Sequence, residues 1–500
     1  MSRKAVSKAE RTFGTTRRDS YSRLAVADGL ASFTLLALVA ALLGFADDAG
    51  DSLALLGVSV VTGIIGFAGR RTFVRRQRPP AARVISGLAS TWAALVLAGA
   101  VVYLVSGTID TVDEALFEAA AGFSTVAATT VDPETLSTPM SIFRAGTQFV
   151  GGLVGLLAGV VAFPRTMKGN VQIPKGRGRR ADRLVPDPVL GRKRVVRLYL
   201  ALALVCGLGY LATGLGARSS LVHAFTTVST GGFSDQADSF ASAPGGARVV
   251  ATVFMLIGGM SFFALFWLVR GNHERFRRSP ELRIYLAIIG VTTLALMREV
   301  DGLSFGDALF TAASASSTTG FAVGDWTLFP SGAIALLLIA VATGAMGASA
   351  GSGLRVIRAW LLFLFAAREV RRQLDPNAVT VVRHGGRTLG DDELDSLTGY
   401  QIAHFGLCGI GAFMLAVTGD ELVDAIWTAI SVVSTFGPSP TMGPFGDADQ
   451  LGRFGQLVMI PGMLAGRLTI LPLLLAVAAI QQGYRTVFLA ARRIVARSGR

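Results

Sequence analysis

The sequence contains few of the residues on which enzymes and disulfide-bonded proteins depend. Only 16% of its 500 residues are charged, and it has two cysteines and four histidines. Cys206 and Cys408 lie inside apolar stretches, so the sequence predicts neither a disulfide framework nor a cysteine-based metal site. The histidines show no ligand spacing, and no nucleophile, base and orienting group cluster together. We therefore expect neither an enzyme nor a chain that binds a cofactor.

Long apolar stretches dominate what is present. Hydrophobic residues make up 51% of the chain and its mean hydropathy is +0.54, values typical of a multispanning membrane protein. A helix needs about 20 apolar residues to cross a bilayer. Ten stretches qualify, and they begin near Leu24, Leu53, Val84, Met140, Val195, Val249, Leu282, Ser331, Tyr400 and Phe454. The predicted fold class is an all-α polytopic membrane protein with about ten spans.

The charges between these stretches alternate in sign. Basic loops such as residues 70–83, which hold six arginines, are followed by acidic ones. Because basic loops stay in the cytoplasm, we expect both termini there and the acidic loops on the outer side. This orientation explains the net charge of +14 without nucleic-acid binding. The first 20 residues lack a long apolar core and a cleavage site, so they predict a cytoplasmic tail and not a signal peptide.

One sequence unit occurs four times. Residues 307–320 read DALFTAASASSTTG, residues 114–127 read EALFEAAAGFSTVA, and residues 424–437 read DAIWTAISVVSTFG. Residues 218–231, RSSLVHAFTTVSTG, keep the ending of the unit and lose its beginning. Internal repetition of this kind usually determines the architecture. Each apolar stretch is about half the length of a span, so we predict four re-entrant pore helices that lead into a protein-lined cavity.

Each copy ends in hydroxyl-bearing and small residues. Such a segment can expose a row of backbone carbonyls, and rings of carbonyls can replace the water shell of a small monovalent cation. The alternative of four unrelated Ser/Thr/Gly loops does not explain the shared spacing. The predicted filter residues are Ser124, Thr125, Val126 and Ala127; Val228, Ser229, Thr230 and Gly231; Ser317, Thr318, Thr319 and Gly320; and Ser434, Thr435, Phe436 and Gly437.

The repeats divide the chain into consecutive parts. We expect a disordered tail at residues 1–20 and an accessory two-helix hairpin at residues 21–82. Four repeats, each made of a span, a pore helix and a second span around a pseudo-fourfold pore, follow at residues 83–170, 171–280, 281–374 and 397–482. A cytosolic hairpin linker at residues 375–396 separates the last two repeats, and its predicted turn suggests a docking point for a soluble partner. Residues 483–500 form a second cytoplasmic tail.

Two features predict a gate below the filter. Residues 343–353, TGAMGASAGSG, contain no large aliphatic side chain except Met346, so we expect a break or a mobile loop there. Arg467 lies deep in the last span, where a charge costs on the order of 3 kcal/mol and normally faces a cavity or a partner. It either holds helices together or opposes cations in the ion path. The predicted gate residues are Gly347, Ala348, Ser349, Ala350, Gly351 and Arg467.

These strings resemble the Trk/Ktr/HKT superfamily of cation transporters, and within it the bacterial TrkH/TrkG type. The resemblance covers about residues 24–485 and rests on FRAGTQFVGGLVG (143–155), HAFTTVSTGGFS (223–234), SSTTGF (316–321), GSGLRVIR (351–358) and MLAGRL (463–468). It implies potassium uptake across a bacterial inner membrane, a homodimer with one pore in each subunit, and a gating role for Arg467. It also implies cytosolic nucleotide-binding regulatory subunits of the TrkA-like, RCK-domain type. Those must be separate chains, because no Rossmann glycine fingerprint occurs here.

The sequence departs from the family pattern at the first filter segment. The family glycine falls on Ala127, whose methyl group disfavours positive φ and narrows the lumen. A Na⁺-permeable or weakly selective cation transporter is therefore an alternative to a K⁺ transporter. A third alternative, from another class, is a non-conducting membrane partner or sensor that keeps the fold.

Overall fold

The computed structural model describes residues 19–71, 81–159, 188–375, 381–384 and 387–468. This part of the chain is helical apart from one small hairpin. Nearly all of the predicted N-terminal tail and the whole C-terminal tail lie outside the described residues. So does the end of the last predicted span, because the description stops at Leu468.

The α-helices are α1 Asp19–Gly44, α2 Ala49–Arg71, α3 Ala81–Val105, α4 Val112–Ser124, α5 Thr138–Leu157, α6 Pro188–Ala212, α7 Ala217–Val228, α8 Gly245–Gly259, α9 Phe262–Val269, α10 His273–Arg277, α11 Pro280–Glu299, α12 Phe305–Ser317, α13 Ser331–Thr343, α14 Val356–Leu374, α15 Asp391–Thr418, α16 Leu422–Val433 and α17 Gly452–Leu468. Short 3₁₀ helices occur at Pro133–Thr135, Trp326–Leu328 and Ala448–Leu451. Strands β1 Arg383–His384 and β2 Arg387–Thr388 pair antiparallel, within the stretch where the sequence predicts a hairpin linker.

Seven helices of the described residues are long and apolar enough to cross a bilayer. They correspond to α1, α2, α3, α5, α6, α11 and α15, and each coincides with a stretch predicted from the sequence. The predicted span that begins near Val249 is broken, because α8 and α9 meet at an angle of 107°. The one predicted from Ser331 is helical for only 13 residues before it ends at Thr343. About 20 residues are needed to cross, so neither is a continuous spanning helix.

Four short helices, α4, α7, α12 and α16, precede the four hydroxyl-rich endings. They have 13, 12, 13 and 12 residues, about 20 Å of helix and too little to cross a bilayer. Acidic residues in the first turns of α4, α12 and α16 favour the positive end of each helix dipole. In α12 the Ser304 hydroxyl also caps the helix by accepting from the Asp307 N–H.

The packing of the short helices follows a cyclic order. Each short helix contacts the two longer helices that flank it in sequence. Each also contacts the longer helix that follows the previous short helix, and for α4 the previous short helix in the cycle is α16. Thus α7 packs on α5, α12 on α8, α16 on α13, and α4 on α17. These contacts bring the C-terminal ends of all four short helices toward one region. Helices α1 and α2 lie outside this ring, where Phe33 of α1 packs edge-on against Phe143 of α5.

The contact between α1 and α5 generates a test of the fold. Gly44, at the end of α1, lies so close to Pro139 that a Cβ there would be 2.5 Å from the proline Cδ. The rigid ring cannot yield, so we expect Gly44→Ala to lower the free energy of unfolding by about 1–3 kcal/mol. Gly57→Ala in α2 is the matched control, because nothing lies within 4 Å of its Cβ position. Thermal unfolding in detergent measures both, and an equal effect of the two substitutions would contradict this packing.

Candidate functional site

The four hydroxyl-rich endings adopt the same backbone turn. Thr125, Thr230, Thr318 and Thr435 have φ values of 56°, 53°, 57° and 58°. Each threonine N–H donates to the carbonyl three residues earlier, and the next N–H donates to the carbonyl five residues before it, at 2.8–3.2 Å throughout. A β-branched residue in left-handed backbone is strained by roughly 1–3 kcal/mol. Such strain persists only where the surrounding structure imposes it, so the packing imposes the same turn on all four segments.

This turn corrects the alignment of the second segment. The threonine is the second residue of the segments Ser124–Ala127, Ser317–Gly320 and Ser434–Gly437. In the predicted stretch Val228–Gly231, in contrast, the left-handed threonine is Thr230, the third residue. The segment that corresponds to the others is therefore Ser229–Gly232, one residue later than the sequence predicted. We call these four stretches segments one to four.

The fourth residues of the segments converge. A Cβ built on Gly320 would overlap both the Ala127 Cβ and the Phe436 carbonyl oxygen, and one on Gly232 would lie 2.6 Å from the Ala127 Cβ. A Cβ on Gly437 would overlap the Ala127 backbone. The three glycines have φ values between 79° and 103°, whereas Ala127 does not have positive φ. The Ala127 methyl therefore lies against the glycines of segments two and three.

From Ala127 onward the backbone of segment one runs beside segment four and the loop that follows it. The Ala127 N–H donates to the Phe436 carbonyl at 3.2 Å, and Thr129 forms a parallel bridge with Asp447. The carbonyls of Val126 and Gly231 both accept from the side-chain Nε2 of Gln148, at 3.2 Å and 2.7 Å. The third residues of the four segments are Val126, Gly231, Thr319 and Phe436. The carbonyls of all but Thr319 therefore accept hydrogen bonds from protein N–H groups.

The hydroxyls of segments one and four have no protein partner. Ser124, Thr125, Ser434 and Thr435 are fully buried, and none of their side-chain oxygens makes a hydrogen bond among the described residues. The corresponding hydroxyls of segment two donate to nearby carbonyls. In segment three the Thr318 hydroxyl accepts from the Ser352 N–H at 3.0 Å. Buried hydroxyls normally have hydrogen-bond partners. The four unpartnered hydroxyls therefore make segments one and four the place where a polar ligand can bind.

The loop between α13 and α14 lies against the end of α8 and against segment three. The Ala350 N–H donates to the Gly258 carbonyl and the Met346 N–H to the Gly259 carbonyl, which ties the loop to the end of α8. All five predicted gate residues of this loop, Gly347 to Gly351, are buried. The loop reaches segment three through the Thr318 hydroxyl, at the end opposite Gly320.

Arg467 joins this loop to the first pore hairpin. Its Nη1 donates to the Ala350 carbonyl at 2.6 Å, and its Nη2 donates to the Gly152 carbonyl at 3.0 Å. The side chain is buried, and no described carboxylate forms an ion pair with it. Backbone oxygens from α5 and the loop thus hold a desolvated positive charge directly below the segments.

An acidic cavity of about 390 Å³ lies at the other end of the segments. Ala127, Gly232 and Gly320 line its base, and its wall includes Asp132, Asp447 and Asp449. Burial raises the pKa of Asp449, and the nearby carboxylates of Asp447, Glu114 and Glu118 raise it further. The three aspartates outnumber the one arginine in the lining, Arg144, so the cavity carries a net negative charge, which favours cations.

A buried ion pair supports segments one and two from behind. Arg144 Nε donates to Glu118 Oε1 at 2.7 Å, and Arg144 Nη1 donates to the Ser234 carbonyl at 3.0 Å. Glu118 also accepts from the Thr129 hydroxyl and the Thr130 N–H. The Arg144 guanidinium stacks on Phe233 at 3.8 Å from the ring centroid. The stretches that follow segments one and two are therefore joined through one charged network.

Comparisons with known proteins identify the family of this chain. A sequence profile of the TrkH family, described as cation transport proteins, matches residues 71–283 and 280–485. The chain belongs to the TrkH family. The Trk system potassium uptake protein TrkH of Halomonas elongata is 28% identical over 434 residues, which cover 83% of this chain and 88% of that protein. The TrkH protein of Escherichia coli is 26% identical over 400 residues, covering 77% and 82%. The crystal structure of the potassium transporter TrkH from Vibrio parahaemolyticus superposes with a TM-score of 0.82 at 25% identity, covering 92% and 98%.

Membership of the TrkH family confirms the predicted family, the all-helical polytopic membrane fold and the expectation that the chain is not an enzyme. It leaves the roles of individual residues open. Sequence reasoning missed Gln148, the Glu118–Arg144 pair, and Gly232. Gln148 and Arg144 lie inside the motif FRAGTQFVGGLVG. Polar side chains within an apolar span are rare, and this could have identified both as candidate site residues.

The ion pair yields a prediction about this TrkH-family site. Arg144→Met leaves Glu118 buried without a counter-charge, so we expect it to lower the free energy of unfolding by about 3–5 kcal/mol. The double variant Arg144→Met, Glu118→Gln removes that charge and should recover most of the loss. Thermal unfolding of both purified proteins is the measurement. If the double variant is no more stable than the single one, burial of an unpaired carboxylate is not the cause.

Proposed function

We propose that the chain takes up K⁺ across the membrane through a pore whose filter is formed by segments one to four. The observation that carries the proposal is the shared threonine turn, which directs four backbone segments to one place. Filters of this kind replace the hydration shell of a monovalent cation with backbone oxygens. The names of the relatives, which are potassium uptake proteins, support K⁺ as the cargo.

The residues present fit a cation. The four unpartnered hydroxyls of Ser124, Thr125, Ser434 and Thr435 are buried oxygens without donors, which a desolvated cation can use. The negative ends of the four short helices face the same region, and their field favours positive charge. Because most third-residue carbonyls accept protein hydrogen bonds, we assign coordination mainly to the first and second residues of the segments.

The proposed path runs from the acidic cavity through the segments to the Arg467 loop contact. Carboxylates at the cavity concentrate cations at the mouth, which we place on the outer side. Arg467 and residues Gly347–Gly351 form the gate: a fixed positive charge below the filter opposes the cation until the loop moves. The structure therefore corresponds to a closed state of the proposed transporter.

We place the protein in a bacterial inner membrane with both termini in the cytoplasm, from the alternation of basic and acidic loops. The relatives belong to a named Trk system, which supports work as one subunit of a multi-component assembly. Within that assembly we propose a homodimer and TrkA-like RCK-domain regulatory subunits. The hairpin β1–β2 and the nearby basic residues are the proposed docking region for such a subunit.

A Na⁺-permeable or weakly selective transporter is the second candidate. Ala127 supports it, because its methyl group occupies the place of a glycine and breaks the equivalence of the four segments. Selectivity that depends on a symmetric ring of oxygens weakens when one segment is displaced.

Uptake by proteoliposomes tests both candidates. We expect the wild-type protein to carry K⁺ faster than Na⁺. Ala127→Gly should raise the K⁺/Na⁺ ratio by about fivefold, equal to about 1 kcal/mol, because a glycine lets segment one adopt the backbone of the other three segments. Initial rates of K⁺ and Na⁺ uptake are the measurement. A ratio that Ala127→Gly leaves unchanged would show that Ala127 does not set selectivity. Absence of any flux in the wild type would favour the non-conducting partner.

The gate makes a separate prediction. Arg467→Ala removes the charge and its hydrogen bonds to the loop, so we expect cation flux to rise about tenfold, equal to roughly 1.4 kcal/mol of barrier. Arg453→Ala is the matched control in the same helix, because Arg453 is exposed and lies 3.6 Å from Asp113, away from the loop. Equal flux in the wild type and Arg467→Ala would reduce Arg467 to a structural link between helices.

A further inference from the structure

The side chain of Gln148 lies between segments one and two with every hydrogen-bonding group of its amide in use. It projects from α5 and is fully buried. Its Nε2 donates to the carbonyls of Val126 and Gly231, and its Oε1 accepts from the Phe233 N–H at 3.1 Å. One amide therefore contacts two adjacent segments and the backbone that follows the second.

The two carbonyls held by Gln148 occupy the same position in their segments. Val126 and Gly231 are both third residues, each directly after the strained threonine. A carbonyl that accepts from α5 is directed toward that helix and away from the region where the fourth residues meet. Gln148 thus sets the direction of two backbone oxygens at one level of the proposed filter.

The corresponding positions of two other hairpins hold no such amide among the described residues. Gln148 lies three residues before Gly151, whose Cβ position would overlap the Phe123 carbonyl at the end of α4. Met463 lies three residues before Gly466, whose Cβ position would likewise overlap the Val433 carbonyl at the end of α16. Met255 lies three residues before Gly258, whose Cβ position would be 3.6 Å from the Val228 carbonyl at the end of α7. Both methionines are buried and have no N–H to donate. Corresponding positions therefore hold a thioether in two hairpins and a hydrogen-bonding amide in one.

The fit between Gln148 and Gly231 is close. A Cβ on Gly231 would overlap the Gln148 amide and would lie 2.9 Å from the Gln148 Cβ. Segment two can approach α5 only because residue 231 has no side chain. The glycine and the glutamine together determine how far segment two stands from segment one.

We propose that Gln148 is a positioning residue that sets cation specificity by holding the third carbonyls of segments one and two away from the lumen. The inference rests on the proposed pore. Ala127 engages the Phe436 carbonyl as well, so Thr319 has the one third-residue carbonyl without a donor among the described residues. Oxygen coordination at this level is incomplete, and the cation keeps part of its water there. Specificity then depends on a side chain that does not touch the cation.

The test uses full-length protein in proteoliposomes. Gln148→Met introduces the residue found at the corresponding positions, and Gln148→Glu keeps the shape and the acceptor for Phe233 while losing donors. Both variants lose the two hydrogen bonds to the carbonyls of Val126 and Gly231, so we expect each to lower the K⁺/Na⁺ uptake ratio by roughly tenfold. Met255→Leu is the matched control and should stay within about twofold of the wild type.

The outcomes separate positioning from general packing. An unchanged ratio in Gln148→Met or Gln148→Glu overturns the proposal, as does an equal change in Met255→Leu. If both glutamine variants fail to assemble while Met255→Leu assembles, Gln148 serves the fold as a whole and the proposal is rejected. Retained assembly with a lowered ratio supports it.

Failure of the pore itself would be visible in the same preparation. Wild-type vesicles that take up no cation would refute the proposed function. The positioning role of Gln148 would then be tested by the heat stability of the purified protein in K⁺ and in Na⁺. We expect the unfolding temperature of the wild type to differ between K⁺ and Na⁺, and that of Gln148→Met to be the same in both salts. An equal difference in the two proteins would overturn the positioning role of Gln148.

Discussion

The structure depends on four backbone segments that leave helical geometry in the interior of a membrane protein. Backbone polar groups at that depth need partners, and only protein or enclosed water can supply them. The threonine turns satisfy the N–H groups by bonding back to the short helices. The carbonyls of the segments are not used in these turns, so they can bind a neighbouring segment, a nearby side chain or a ligand. The cyclic packing of the short helices and the burial of nearly every residue around them follow from this need.

The segments follow one plan at their second residues and diverge at their third and fourth. The threonine turn is the same in all four, but Ala127 cannot easily adopt the positive φ of the three glycines. Segment one therefore bends toward segment four, and the Phe436 carbonyl becomes an acceptor for Ala127. Gln148 adds a second asymmetry between segments one and two. The unpartnered hydroxyls lie in segments one and four, so the proposed cation site is also lopsided.

Below the segments, the same requirement shapes the loop between α13 and α14. After Thr343 the backbone of the loop has no helical hydrogen bonds, and its polar groups bond instead to the end of α8, the Thr318 hydroxyl and Arg467. A single arginine can replace several such partners because its guanidinium has five donors. The buried charge and the irregular loop therefore stabilise each other, and a movement of either one would disturb both.

The sequence by itself determined the membrane class, seven of the spans, the four hydroxyl-rich endings, the broken helix at Thr343 and the family, because hydropathy, repeats and motifs are local patterns. In segment two the left-handed threonine, Thr230, sets a register one residue later than the predicted stretch Val228–Gly231, and that backbone turn is not visible in the string TVSTGG. The sequence also predicted the α8–α9 stretch as one span, although packing bends it by 107°. Only the tertiary structure decided that Gln148 holds two carbonyls, that Glu118 meets Arg144, and that Arg467 reaches Ala350. Those contacts join residues from about 20 to more than 100 positions apart, and no local pattern specifies which distant backbone groups will meet.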